Sequence, residues 1–139
     1  MAPKRKITDD ERLDKVLPIA TPLLKWFGIY QSYVVKIDFL DDLDSNHVGY
    51  ESVARIEEHY PYRLITIKFQ RKYIDDSPPH QIEGTIIHEI LHPLIFGPVE
   101  RYLTGRGMTV GAEFEDLQES LVDLIRIWLT RLRPEEGWN

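Results

Sequence analysis

Residues 78–95 read PPHQIEGTIIHEILHPLI, and within them His88-Glu89-Ile90-Leu91-His92 is an H-E-x-x-H pentapeptide. Ser77 is a suitable N-cap and Pro78 suits the first helical position, so the segment predicts a helix that Gly97 and Pro98 end. On a helix, four residues advance the angle by about 40° beyond a full turn, which stacks His88 and His92 on one face. Their imidazoles are then spaced to grip one zinc ion, while Glu89 points about 60° aside, toward a water on that ion. Gln81, Gly84, Thr85, His88, Glu89 and His92 share one arc of the wheel, and Ile82, Ile86, Ile87, Ile90, Leu91 and Leu94 occupy the rest. The motif therefore belongs to the polar side of an amphipathic helix that faces a cleft. Pro93 removes one helix hydrogen bond and biases His92 away from helical geometry, so a kink or a helix end is expected there.

Upstream, Leu13, Val16, Leu17, Ala20, Leu23, Leu24 and Phe27 recur at helical spacing. They predict a helix from Asp9 to Phe27, capped by Thr8 or Asp9 and stopped by Gly28. Pro18 and Pro22 predict a kink in it or two shorter helices. Tyr33, Val35, Ile37 and Phe39 alternate with polar or opposite-facing neighbours, the period of a half-buried strand. Val53 to Glu58 and Leu64 to Tyr73 are two further strand candidates, and an antiparallel meander is the simplest connection. Asp42, Asp44 and Asn46 have the first spacings of a calcium loop, but His47 and Val53 stand where the turn glycine and bidentate Glu are needed. That segment reads as an acidic loop between strands.

Downstream, residues 97–111 hold four glycines and read as a long loop. Ala112 to Leu132 predicts a last helix that Pro134 stops. Residues 1–8 and 134–139 read as loose tails of one domain that spans residues 1–139.

Composition narrows the function classes. The chain has 42% hydrophobic and 11% aromatic residues, enough for a packed core. Its net charge of -6 lacks the basic footprint of a nucleic-acid binder. With no cysteine, any metal must be held by His and carboxylates. No apolar run is long enough to span a membrane, and the basic N-terminus has no apolar region behind it to make a signal peptide. A cytoplasmic domain is the expectation.

A two-His site needs a third protein ligand, and no His follows His92. The last helix carries Glu115, Glu119 and Asp123 at successive steps of four, on the face opposite Leu117, Leu121, Leu124, Trp128 and Leu132. Any member of that acidic stripe is a possible supplier.

His88-Glu89-x-x-His92 followed by Glu119-Ser120-Leu121-Val122-Asp123 resembles the gluzincin pattern, H-E-x-x-H then E-x-x-x-D, of thermolysin-like zinc metallopeptidases. The resemblance covers about residues 80–125. It implies an α+β, zincin-like domain with an N-terminal helix, a small antiparallel or mixed sheet, the motif helix and a C-terminal helix bearing the third ligand. The short gluzincin-like proteins of phages and mobile elements are the nearest type. By resemblance, His88, His92 and Glu119 hold one Zn2+, Asp123 hydrogen-bonds a ligating His, and Glu89 is the general base of peptide hydrolysis. No Tyr or His matches an oxyanion stabiliser; Tyr102, Arg101 and Arg106 lie in the intervening segment but read as surface residues. His47, His59 and His80 read as non-ligands.

The resulting expectation is a zinc metallopeptidase acting on a peptide or protein substrate. The alternatives are a catalytically inactive zinc-binding interaction module of the same fold, and a metal-free domain that meets nucleic acid through Lys4, Arg5 and Lys6.

Overall fold

The computed structural model describes residues 3–43, 52–59, 62–133 and 137–138. The acidic loop beyond Leu43, with Asp44, Asn46 and His47, lies outside the described residues. The architecture is α+β: helices packed on a three-stranded mixed sheet.

Helix α1 (Asp9–Trp26) opens with a capping box. Thr8 Oγ1 accepts from the Glu11 backbone N–H, and the Glu11 side chain reaches back to the Thr8 N–H. Pro18 and Pro22 sit inside one helix and do not divide it into two. The carbonyls they deprive of a donor belong to Asp14 and Pro18, both exposed residues, where solvent can take the place of the lost donors. The apolar face stays intact, with Val16, Ala20, Leu23 and Leu24 fully buried. Gly28, at φ 73, takes the left-handed turn that ends α1 and starts the short α2 (Ile29–Ser32).

The sheet comprises β1 (Val34–Leu40), β2 (Ala54–His59) and β3 (Leu64–Gln70) in the order β1-β3-β2. It is not a meander. β3 lies between the other two, antiparallel to β2 and parallel to β1, with Ile37 opposite Ile67 in that parallel pair. The reason is burial: Ile65, Ile67 and Phe69 of β3 are fully buried, and a central strand is the position that satisfies both backbone edges. β2 is left at the edge of the sheet.

The third strand is also shorter than its apolar pattern suggests. At Arg71 the chain turns into α3 (Arg71–Asp76), where Tyr73 and Ile74 continue the core from a helix. Arg12 of α1 locks this helix in place through a two-pronged ion pair, its Nε and Nη2 each 2.8 Å from the Asp75 carboxylate.

Helix α4 (Pro79–Leu91) starts one residue later than expected, with Pro79 in the first turn and no side-chain cap from Ser77. Ile82, Ile86, Ile87, Ile90 and Leu91 are buried against α1 and the sheet, as the wheel predicts. The α-helical pattern of α4 does give way beside Pro93, but the chain stays helical past Gly97. A π-helical turn (His92–Phe96) closes with Gly97 N–H donating to the His92 carbonyl, and α5 (Gly97–Gly105) follows where a loop was expected. The wider turn lets a proline follow His92 while His92 keeps helical angles, φ -57 and ψ -60. Helix α6 (Ala112–Leu132) has the predicted bounds and packs through Phe114, Val122, Ile125 and Leu129.

The C-terminal tail is not loose throughout. Trp138 is only 5% exposed, lies with its ring 5.0 Å from that of Trp26, and donates from Nε1 to Glu83 at 3.0 Å. Among the described residues no helix is long and apolar enough to cross a membrane.

Candidate metal centre

Three side chains from two helices converge. α4 presents His88 and His92 one turn apart, and α6 crosses alongside with Glu119 facing them. The two Nε2 atoms lie 3.3 Å apart. Glu119 divides its carboxylate between them, Oε2 at 3.1 Å from His88 Nε2 and Oε1 at 3.1 Å from His92 Nε2. Among the described residues this is the group of His and carboxylates that could hold a metal ion.

The orientation of each imidazole is set by its other nitrogen. His88 Nδ1 lies 2.9 Å from Asp123 Oδ1, one turn beyond Glu119. His92 Nδ1 pairs with the side-chain oxygen of Gln118. A proton on each Nδ1 leaves the Nε2 lone pair aimed at the point the three residues share. Gln118 was not foreseen from the sequence. The signal available was its place beside Glu119, which turns it toward the same helix gap about 100° from that ligand.

Glu115 stays outside the group although it lies one turn before Glu119, and it is exposed. His80 is also outside it, though it lines the same cleft. His59 instead approaches Thr66 Oγ1 at 3.4 Å. Tyr102 and Arg106 are occupied with each other, the guanidinium 5.7 Å from the ring centroid, and Arg101 pairs with Glu58 at 3.1 Å. None of these three lines the cleft around His88.

That cleft has a volume of about 1190 Å³. One wall is Val53 with Ala54 to Ile56 of β2; the others are the polar face of α4 and the Glu119, Asp123 and Arg126 side of α6. Gly84 matters to its shape, because Arg126 Nη1 lies 3.7 Å from where a Cβ would stand there. Arg55, on β2, has its Nε buried without a hydrogen-bond partner among the described residues.

The charges are strongly coupled. Burial lowers the pKa values of His88 and His92, but hydrogen bonding to Glu119 and the nearby carboxylate charges outweigh it, so both are raised. Glu119 is held well below the usual carboxylate range by its hydrogen bonds to His88 and His92. Glu89 behaves oppositely. Burial pushes its carboxyl up to about 7, against the lowering influence of the two imidazoles and a hydrogen bond from the Ile56 backbone. The cleft thus holds one carboxylate committed to the imidazoles and one poised to exchange a proton near neutral pH. No family model, curated protein or solved structure matches this chain.

Proposed function

We propose that the chain is a zinc metallopeptidase of the gluzincin type, with a zincin-like fold. His88, His92 and Glu119 would hold the ion, Asp123 and Gln118 would orient the imidazoles, and Glu89 would be the general base. The observation that carries this reading is the spacing of the donor atoms. Four ligands at about 2.0–2.1 Å in a tetrahedron are about 3.3 Å from one another. The two Nε2 atoms are 3.3 Å apart, each is 3.1 Å from a different oxygen of the Glu119 carboxylate, and one donor atom from each of the three residues lies within 4.8 Å of the other two. Two nitrogens and one carboxylate oxygen also make a donor set suited to zinc, with a fourth position open toward the cleft.

When bound, zinc supplies a Lewis acid that polarises a carbonyl and brings the pKa of a coordinated water toward about 7. Glu89, which lines the same cleft, would accept a proton from the attacking water and return it to the leaving amine. Glu119, held well below the usual carboxylate range in the metal-free chain, would be available as an ionised ligand.

The test combines metal analysis with catalysis. The purified chain should contain one zinc per molecule, and His92→Ala should lose it. Glu89→Gln should keep its zinc while cleavage of a peptide substrate falls by at least about a hundredfold. Full zinc occupancy in His92→Ala would move the ligands elsewhere. Equal peptidase activity in Glu89→Gln would remove the general base, and with it the peptidase reading.

A further inference from the structure

Helix α6 carries two apolar stripes, and the fold uses one of them. Phe114, Val122, Ile125 and Leu129 pack on the core. Leu117, Leu121, Leu124, Trp128 and Leu132 form a second stripe that remains in solvent, with Leu117 57%, Trp128 53% and Leu132 76% exposed. Their steps of four, three, four and four keep them within about 80° of arc, close to the heptad spacing of a helix-pairing seam. From Leu117 to Leu132 the stripe runs about 22 Å, far more than a scatter of single surface leucines.

Charge along the same helix says what covers it. The N-terminal half carries Glu113, Glu115, Asp116 and Glu119; the C-terminal half carries Asp123, paired with Arg126 at 3.5 Å, and then Arg131, with Arg133 just past the helix end. Glu113 and Arg131 are both exposed and lie at the same angle on one flank of the stripe, near its opposite ends. A parallel pair of such helices would set acid against acid at one end and Arg131 against Arg131 at the other. An antiparallel pair related by a two-fold axis does the reverse, and the helix dipoles also favour it.

We propose that the chain forms an antiparallel two-fold dimer through the exposed face of α6. With the axis between Leu121 and Leu124, each Leu117 lies beside Trp128 of the other copy, and each Arg131 lies alongside the Glu113 of the other. Each attractive pair occurs twice. The metal-facing side of α6, with Glu119 and Asp123, is turned away from this seam, so both clefts stay open. The inference does not depend on the metal reading.

The absence of cysteine gives a direct test. Sedimentation of the full chain over a concentration series should show a monomer–dimer equilibrium, and Leu124→Glu with Trp128→Glu should abolish the dimer. Arg131→Glu should weaken dimerisation by about tenfold through loss of two symmetry-related pairs, and adding Glu113→Arg should restore it. Leu117→Cys and Trp128→Cys chains should form a disulfide-linked dimer on oxidation when mixed, and little when oxidised alone. A monomer up to several hundred micromolar overturns the proposal. So does a dimer that survives the double Glu substitution, or linkage of Leu117→Cys chains with themselves as readily as in the mixture.

Discussion

The Nδ1 atom of His88, on α4, lies 2.9 Å from Oδ1 of Asp123, on α6. The same imidazole meets Glu119 through Nε2 at 3.1 Å. One residue of α4 is thus gripped at both ring nitrogens by two residues spaced one turn apart on α6. That arrangement fixes the tilt of the ring, and it binds the two helices to a common register.

Asp123 should therefore tune the site without being indispensable to it. Asp123→Ala is expected to lower zinc affinity by about 10–100-fold while leaving a measurable site. Competition titration against a chromophoric chelator reads the change directly. An unaltered affinity would show that the imidazole is oriented by packing alone.

Glu115 and Glu119 separate cleanly. Glu119 approaches both imidazoles, whereas Glu115 is exposed and outside the group. Glu119→Gln should lose stoichiometric zinc, and Glu115→Gln should keep it. The opposite result would place α6 one turn out of register.

The pH dependence of the metal-free chain follows from the shifted groups. His88 and His92 have raised pKa values, so their ion pairs with Glu119 stabilise the fold fully below about pH 6.5 and are lost as pH rises through the raised values. Glu89 acts in the same direction. Its pKa is pushed up to about 7, so ionisation costs stability progressively from about pH 4.3, its unfolded value, up to about 7. With chelator present, the urea midpoint should be lower at about pH 8 than at about pH 6. The stabilisation by added zinc should grow over the same interval, because binding displaces those protons. A chelated protein that gains stability with pH would contradict the assigned shifts.

Gly84 offers a test of helix packing. It stands in the interior of α4 with no positive φ, and an added Cβ would meet Arg126 Nη1 at 3.7 Å, an ordinary contact with a flexible side chain. Gly84→Ala should stabilise the chain by about 0.4–1 kcal/mol in denaturant unfolding. Destabilisation would mean that Arg126 cannot yield.

Much of this site was legible in order of residues. The H-E-x-x-H spacing places two imidazoles on one helical face whatever the fold, and α6 has the bounds expected from its apolar period and Pro134. The step of four placed Glu115, Glu119 and Asp123 on one helical face, and it was the resemblance to the E-x-x-x-D pattern that singled out Glu119 and Asp123. Gln118 was not legible, since its role depends on how closely α6 crosses α4 at His92. The region beyond Pro93 went astray for a similar reason: a proline signals a lost hydrogen bond, but whether the helix stops or widens into a π turn depends on what packs against the next residues.

Periodicity within a segment is decided by the chain's own geometry, so the sequence by itself determined where the long helices lie, which side of α4 is apolar, and which two imidazoles stand together. Pairing between segments is decided by competition for burial. Only the tertiary structure set β3 between β1 and β2, docked Trp138 against Trp26, and chose which of the two apolar stripes of α6 enters the core. Both stripes have helical spacing and similar side chains. What separates them is which one faces the sheet and α4 once Glu119 is turned toward the imidazoles, and that is a property of the packed molecule.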